Sequence, residues 1–204
     1  MRLQKIPREF YLRQTLSVAR DLLGLLLVRK IAGRILIGRI VEVEAYLGEK
    51  DPASHAYRGK TRRNDVMFRK GGFLYVYFTY GMHFCCNVVT ETEGKGRAVL
   101  IRAVEPLVGI DEMIRNRTRN GSTAPGEGAR LLGWLCKGPA RTCQAFGIER
   151  KDNGSDLCGT SVWIARESRR FQRPPISRST RIGITAGREH KWRFYIKGSP
   201  FVSD

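Results

Sequence analysis

Residues that bind metals are few and scattered in this sequence. Its three histidines, His55, His83 and His190, stand far apart, and its five cysteines include no Cys-x-x-Cys pair. Structural zinc and iron–sulfur sites need such side chains at short, regular spacings. We therefore expect chemistry that uses neither a metal nor another cofactor. Because the number of cysteines is odd, we also expect reduced thiols rather than a disulfide framework.

Long hydrophobic runs are absent as well. The apolar stretch at residues 22–28 is interrupted by Gly24 and is far shorter than the roughly 20 residues of a transmembrane helix. The N-terminus shows no secretory hydrophobic segment. These absences predict an intracellular protein with no membrane partner, in the cytoplasm or nucleoid of a bacterium or in the nucleus of a eukaryote.

Acidic residues are scarce relative to basic ones. The 204 residues include 37 Lys and Arg but only 19 Asp and Glu, which gives a formal net charge of +18. Such an excess predicts a polyanionic partner, with nucleic acid as the leading class. The segment 51–69 has little hydrophobic periodicity and is expected to be a basic loop that contacts phosphates, or alternatively a solvated charge run. Its basic residues are Arg58, Lys60, Arg62, Arg63 and Arg69.

Hydrophobic patterning predicts an α+β fold built around an antiparallel sheet. Two hairpins are indicated, one over residues 25–31 and 35–47 with a turn at Gly33-Arg34, the other over residues 73–78 and 84–89. Further strands are expected at 98–104, 181–185 and 192–196, and helices at 105–117, at 127–136 and after a capping Thr15. We interpret this as a single domain over residues 1–204, with a curved, mainly antiparallel sheet, flanking helices and a protruding β-hairpin.

The strand predicted at residues 35–47 has one apolar face and one chemical face. Glu42, Glu44 and Tyr46 share the second face because side chains alternate along a strand. Glu44 stands two residues before an aromatic ring, where a carboxylate could orient and activate water in a dry site. An ion pair with one of the many arginines is the alternative. Glu42 lies on the same strand face, but no further feature of the sequence supports a role for it.

A second group of candidates lies in the stretch LYVYFTYGMHFCCN. Tyr75 and Tyr77 share one strand face, whereas Tyr80 falls beside a glycine where the chain is expected to turn. Tyr46 and Tyr77 could stack on the two sides of a planar ligand, or could be ordinary core residues. His55 could donate a hydrogen bond to the same ligand, or have only a structural role.

Five segments, in the same order along the chain, resemble the alkyladenine (3-methyladenine) DNA glycosylase family. They are VEVEAYLGEKDPASHAYRG, LYVYFTYGMHFCCN, AVLIRAVEP, KGPARTCQAFGI and RFYIKGSPFVS. The similarity extends over residues 10–203, and the combination of these motifs is specific. It implies an enzyme that flips a damaged purine out of double-stranded DNA and hydrolyses its N-glycosidic bond, which initiates base excision repair. The expected lesions are 3-methyladenine, 7-methylguanine, hypoxanthine and ethenoadenine, and the expected state is a monomer.

The resemblance also implies roles for residues at matching positions. Glu44 would activate the attacking water, and Arg102 would help hold that water and the phosphate of the flipped nucleotide. Tyr46 and Tyr77 would sandwich the base, with His55 closing the pocket and donating to it.

Further positions that match the family would check the base and hold the DNA. Asn87 would test the base edge against the amino group of guanine. Tyr80 would enter the minor groove and fill the gap left by the nucleotide; a turn tyrosine that lies flat on the surface is the alternative. Tyr75, which shares a strand face with Tyr77, is expected to support the pocket wall through its hydroxyl to His55. The remaining candidates for DNA contacts are Arg62, Arg63, Met82 and His83.

The chain also departs from the family pattern, and other classes remain open. His83 stands where vertebrate members tend to have tyrosine, and Thr142 where leucine is commoner. A non-catalytic nucleic-acid-binding module is one alternative. A helix-hairpin-helix glycosylase with lyase activity is another, because WLCKGPARTCQAF at 134–146, followed by Asp156, faintly matches it. That segment lacks the usual Gly-x-Gly, and no lysine is flanked by the apolar residues that a lyase nucleophile needs.

Overall fold

A computed structural model of the chain describes residues 2–119, 121–168 and 172–203. Within them, nine strands form one sheet. The strands are β1 (Leu3–Lys5), β2 (Leu26–Ile31), β3 (Arg34–Tyr46), β4 (Leu74–Thr79), β5 (His83–Thr90), β6 (Arg97–Val108), β7 (Val162–Glu167), β8 (Ile176–Ser179) and β9 (Arg193–Ile196). The α-helices are α1 (Arg8–Tyr11), α2 (Thr15–Leu22), α3 (Ile110–Thr118), α4 (Gly128–Cys136) and α5 (Pro139–Phe146).

The sheet is antiparallel, and its longest strand, β3, lies at its centre. The strand order is β1-β7-β2-β3-β6-β5-β4, and β9 pairs with both β3 and β8. The first half of β3 pairs with β2, its segment Glu42–Glu44 pairs with β9, and β6 follows the other edge. The register between β3 and β6 shifts on both sides of Glu42, which indicates a bulge that bends the strand. The predicted α+β class and antiparallel sheet are confirmed.

Two separate hydrophobic clusters cover the two faces of the sheet. Val43 and Ala45 of β3 pack in the main cluster. On the other side, Ala56 and Met67 of the basic segment pack against Tyr75 of β4 in a smaller cluster. The basic segment 51–69 is therefore anchored by its few apolar residues, which brings His55 and its neighbours over the sheet.

Both predicted hairpins are present. The β2–β3 turn has positive φ angles at Ala32 (47°) and Gly33 (77°), so the turn lies one residue earlier than expected. In the β4–β5 turn, Met82 N–H donates to the Thr79 carbonyl at 3.3 Å. Tyr80 (φ 50°) and Gly81 (66°) occupy its centre, the signs typical of a type I′ turn.

Several predicted boundaries are wrong. Residues 105–108 continue β6 because they pair with residues 37–39, so α3 begins only at Ile110, after Gly109 in a left-handed conformation (φ 81°). Residues 181–185 are irregular rather than a strand. Thr15 begins α2 but does not cap it, because its hydroxyl pairs with Thr90 and Glu91 instead.

Three strands, β1, β7 and β8, were not predicted from the sequence. In the described ranges, no helix is long and apolar enough to cross a membrane. No group of three or more His, Cys, Asp or Glu within these ranges could hold a metal ion.

Candidate active site

The predicted substrate-binding residues meet in one cavity of about 240 Å³. Those that line it are Tyr46, His55, Tyr75, Tyr77 and Asn87, joined by Arg102 and Tyr80. A larger open groove of about 490 Å³ lies elsewhere and contains none of the predicted site residues. Two of its charged residues, Arg39 and Glu105, pair with each other at 2.6 Å. The smaller cavity is therefore the better candidate, because it combines aromatic walls with convergent polar groups.

Glu44 is fully buried and lies one layer behind the cavity wall. Its Oε2 accepts a hydrogen bond from the Tyr46 hydroxyl at 2.9 Å. Its Oε1 accepts one from the Ile182 N–H at 2.8 Å and lies 3.3 Å from Arg102 Nη1. Burial and the nearby Glu44 charge raise the pKa of Tyr46, so its hydroxyl stays protonated and donates. The three described partners of this carboxylate, Tyr46, Ile182 and Arg102, all line the cavity.

Arg102 connects Glu44 with a second buried carboxylate. The side chain projects from β6 and is largely buried, yet it also lines the cavity. Its Nε donates to Glu42 Oε1 at 3.2 Å, while Nη1 faces Glu44. Behind it, the Thr142 hydroxyl shares its one hydrogen between the Cys136 carbonyl at 3.0 Å and the Arg102 carbonyl at 3.3 Å. The departure from leucine at this position therefore supplies a buried hydrogen bond rather than apolar packing.

Tyr75, Tyr77 and His55 form a continuous aromatic wall. The Tyr75 and Tyr77 rings are stacked with centroids 5.6 Å apart, and the His55 ring meets Tyr77 edge-on at 4.5 Å. The Tyr75 hydroxyl lies 3.1 Å from His55 Nδ1. This is the contact predicted for Tyr75 from the strand face that it shares with Tyr77.

The protonation states in this wall follow from its surroundings. Burial raises the pKa of Tyr75 to about 12, so its hydroxyl remains a donor. Partial burial and then the Arg63 charge lower the pKa of His55 below its ordinary value, which favours the neutral ring. A neutral His55 that accepts from Tyr75 at Nδ1 carries its proton on Nε2. Its free N–H is then available to a ligand.

Asn87 is buried and lines the cavity from β5. It pairs with Tyr75 of β4 on one side and with Leu100 of β6 on the other. Its side-chain N–H donates to the Tyr75 carbonyl at 3.2 Å, which orients the amide. Next to it, burial raises the pKa of the Cys85 thiol to about 11, so this thiol is not a reactive thiolate.

Residues 182–184 complete the cavity, and sequence reasoning missed them. They follow Arg181, whose buried guanidinium pairs with both oxygens of Asp51 at 2.5 and 2.8 Å. Arg181 also stacks 4.7 Å from the Tyr46 ring. The only signal in the sequence was a pair of ordinary charges 130 positions apart, which no local pattern distinguishes from surface residues.

The predicted DNA-binding residues gather around the tip of the β4–β5 hairpin. Tyr80 is 82 % exposed and Met82 67 % exposed, whereas His83 is half-buried. Tyr80 also borders the mouth of the cavity, so tip and cavity are neighbours rather than separate features. Arg62 and Arg63 are exposed beside the hairpin, and Arg63 Nη2 donates to the carbonyl of Phe78 in β4 at 3.3 Å.

The segment at 134–146 spans the end of α4 and the whole of α5, with Lys137 and Gly138 between them. α4 ends at Cys136, and α5 begins with Pro139, the first helical position that proline favours. However, Asp156 pairs with Arg8 at 2.7 Å and does not line the cavity. The helix-hairpin-helix alternative therefore has no support from its proposed acid.

These features define a class: a strongly basic chain with an aromatic cavity for a planar ligand and a buried carboxylate behind it. Comparison with known proteins narrows that class. A family model described as "Methylpurine-DNA glycosylase (MPG)" matches residues 9–200. The chain therefore belongs to the methylpurine-DNA glycosylase family. It is a DNA glycosylase, a hydrolase of DNA repair that acts on DNA.

Similar proteins extend over nearly the whole chain. A protein of Carboxydothermus hydrogenoformans named "Putative 3-methyladenine DNA glycosylase" is 48% identical over 198 residues, covering 97% of this chain and 98% of its own. Proteins of the same name from Desulfitobacterium hafniense and Francisella tularensis are each 44% identical. These matches cover 98% and 93% of this chain, and 99% and 94% of the relatives.

Proposed function

We propose that this glycosylase flips damaged purines out of duplex DNA into the 240 Å³ cavity and hydrolyses the N-glycosidic bond with water activated by Glu44. The observation that carries the proposal is the fully buried Glu44 carboxylate, held by Arg102 and Ile182 directly behind an aromatic cavity. One carboxylate suffices because an N3- or N7-alkylated purine is cationic and is already a good leaving group. The same carboxylate stabilises the positive charge that develops on the sugar.

Water must approach Glu44 for this chemistry to occur. Its Oε1 already receives the Ile182 N–H and faces Arg102, whereas Oε2 receives only the Tyr46 hydroxyl among the described contacts. A carboxylate oxygen accepts two hydrogen bonds. We assign the attacking water to Oε2, beside Tyr46, with Arg102 holding that water and the phosphate of the flipped nucleotide.

Recognition of the base follows from the cavity wall. Tyr46 and Tyr77 provide electron-rich faces that attract cationic bases and stack on any base. His55 donates from Nε2, with Tyr75 fixing its orientation, and Asn87 disfavours the exocyclic amino group of guanine. 7-Methylguanine retains that group, and its positive charge makes it a substrate together with 3-methyladenine. Neutral hypoxanthine and ethenoadenine are assigned as substrates through stacking alone.

Engagement with DNA involves the hairpin tip and the basic loop. Tyr80 fills the space that the flipped nucleotide leaves, with Met82 and His83 beside it in the minor groove. Arg62 and Arg63 contact phosphates. Flipping costs a few kcal/mol and costs least at damaged or mispaired positions, which adds selectivity. The chain acts as a monomer and as one domain.

A set of duplexes that each carry one defined lesion tests this function. Incubation should release free base and leave abasic sites, and borohydride should trap no covalent adduct, because hydrolysis by water forms no Schiff base. Binding without base release would support the non-catalytic module instead. A trapped adduct would support the lyase alternative.

A further inference from the structure

Glu42 accepts more hydrogen bonds than its place in the sequence indicates. The side chain is fully buried, and four donors reach its carboxylate. Arg193 Nε donates to Oε1 at 2.6 Å, and Arg102 Nε to the same oxygen at 3.2 Å. Ser203 donates its hydroxyl to Oε1 at 2.8 Å and its backbone N–H to Oε2 at 2.7 Å. Both oxygens of Glu42 are therefore hydrogen-bonded, and among the described contacts only Arg102 donates to it from the cavity wall.

Arg102 is held between the two carboxylates by different edges of its guanidinium. The Nε edge faces Glu42 and Ser203, and Nη1 alone approaches Glu44, at 3.3 Å. An unconstrained arginine prefers to pair with a carboxylate through two parallel hydrogen bonds. If Arg102 did so with Glu44, it would occupy both oxygens, including the one we assign to water. The contact with Glu42 prevents that arrangement.

We infer that Glu42 is a positioning residue for base excision: it fixes Arg102 by its Nε edge and so keeps one oxygen of Glu44 open to water. This inference rests on the proposed role of Glu44. Charge balance supports it, because Glu42, Glu44, Arg102 and Arg193 carry two negative and two positive charges in one buried cluster. Without the Glu42 charge, both guanidiniums would have Glu44 as their nearest carboxylate in this cluster.

The Glu42→Gln variant tests the inference directly. Glutamine keeps the size of the side chain but removes its charge, and its NH2 group faces donors wherever it is placed. We expect the single-turnover rate of base release to fall about tenfold or more. In metalloenzymes, removal of a residue that orients a functional side chain without contacting the substrate has an effect of this size. The Kd for a duplex with a tetrahydrofuran abasic analogue should stay within about threefold of wild type, since only the phosphate contact of Arg102, among the proposed DNA contacts, is affected.

Asp152→Asn is the matched control for lost buried charge. Asp152 is buried and pairs with the buried Arg29 at 2.7 Å, but it does not line the cavity. We expect this variant to lose stability while its folded fraction releases base within about twofold of the wild-type rate. If Asp152→Asn lost as much rate as Glu42→Gln, or if Glu42→Gln kept its rate within twofold, the inference would be overturned.

Ser203→Ala keeps the test decisive if Glu42→Gln does not fold. This variant leaves the ion pairs in place and removes the hydroxyl that contacts both Glu42 and Arg102. We expect about a threefold slower single-turnover rate at unchanged Kd, and an unchanged rate would contradict the inference. Glu44→Gln, measured alongside, distinguishes a failure of the proposed function from a failure of the role of Glu42. An active Glu44→Gln would refute the proposed function, whereas an inactive one beside a normal Glu42→Gln would refute only the role of Glu42.

Discussion

Replacement of Glu44 by glutamine is the sharpest test of the chemistry. The amide keeps the shape of the side chain and one carbonyl oxygen, which can still accept from Ile182 and Arg102. Its NH2 group would take the place of Oε2, where the Tyr46 hydroxyl now donates at 2.9 Å. That hydroxyl can rotate to accept instead. The variant should therefore fold with its cavity intact but without a base that can take a proton from water.

The size of the effect can be estimated from the same contacts. Loss of a general base lowers rates by about 10²–10⁴, which corresponds to roughly 2.7–5.4 kcal/mol in the activation barrier. Removing one member of a buried ion pair often costs about 3–5 kcal/mol of stability. Here Arg102 keeps Glu42 at 3.2 Å, so we expect a smaller loss of about 1.5–3 kcal/mol, the range of a hydrogen bond to a charged group.

The assay is single-turnover release of a defined lesion, together with binding to a duplex that contains an abasic analogue. Glu105→Gln is the control, because Glu105 lies on the same strand as Arg102 but pairs with Arg39 away from the cavity. Its rate should stay within about twofold of wild type. A Glu44→Gln protein with a near wild-type rate would refute the assignment of the base.

Four other substitutions test the wall and the hairpin. Tyr77→Ala should weaken binding to lesion duplexes by about 1–3 kcal/mol, the worth of one base–aromatic stack, and an equal loss on undamaged DNA would argue against stacking. Tyr80→Ala should lower the flipping equilibrium of every lesion, least opposite a mismatch; stopped-flow fluorescence of ethenoadenine measures it, and an unchanged constant would remove the wedge role. Arg63→Gln should weaken damaged and undamaged duplexes alike and reduce the salt slope by about 0.9, whereas a loss confined to damaged DNA would place Arg63 in the pocket. Because the pKa of His55 is lowered on folding, the unfolded chain binds the proton first, and stability should fall as pH drops from about 6.5 towards the lower folded pKa. The His55→Gln variant should lose this pH dependence of the unfolding free energy, measured by urea unfolding at pH 7.5 and 5.5. An unchanged pH dependence would show that His55 is not its source.

Short-range order in the sequence determined the elements that build the centre of the site. Alternating residues placed Glu44 and Tyr46 on one face of β3, and glycine at the turns predicted both hairpins, because these signals act between neighbours along the chain. The family resemblance added what no local pattern contained, the link between Tyr46 on β3 and Tyr77 on β4, which now line one cavity.

Tertiary structure alone decided which charges meet. Glu42 looked like Glu44 without support, yet Arg102 and Ser203, which lie 60 and 161 positions away from it, place it at the centre of a buried network. Arg181 pairs with Asp51 across 130 positions and so brings Ile182 to Glu44. Sequence reasoning could not single out these pairs, because charged residues are frequent in a chain of this composition and are ordinarily solvated.

The strand boundaries failed for a related reason. Residues 105–108 were predicted as helix from their own pattern, but pairing with 37–39 keeps them in β6. The strands β1 and β8, with three and four residues, are too short for alternation to be recognised. Each of these strands exists because a neighbouring strand offers backbone donors and acceptors, and that neighbour is distant in sequence. Local pattern therefore determined the carboxylate and the aromatic rings, and long-range pairing decided how they are held.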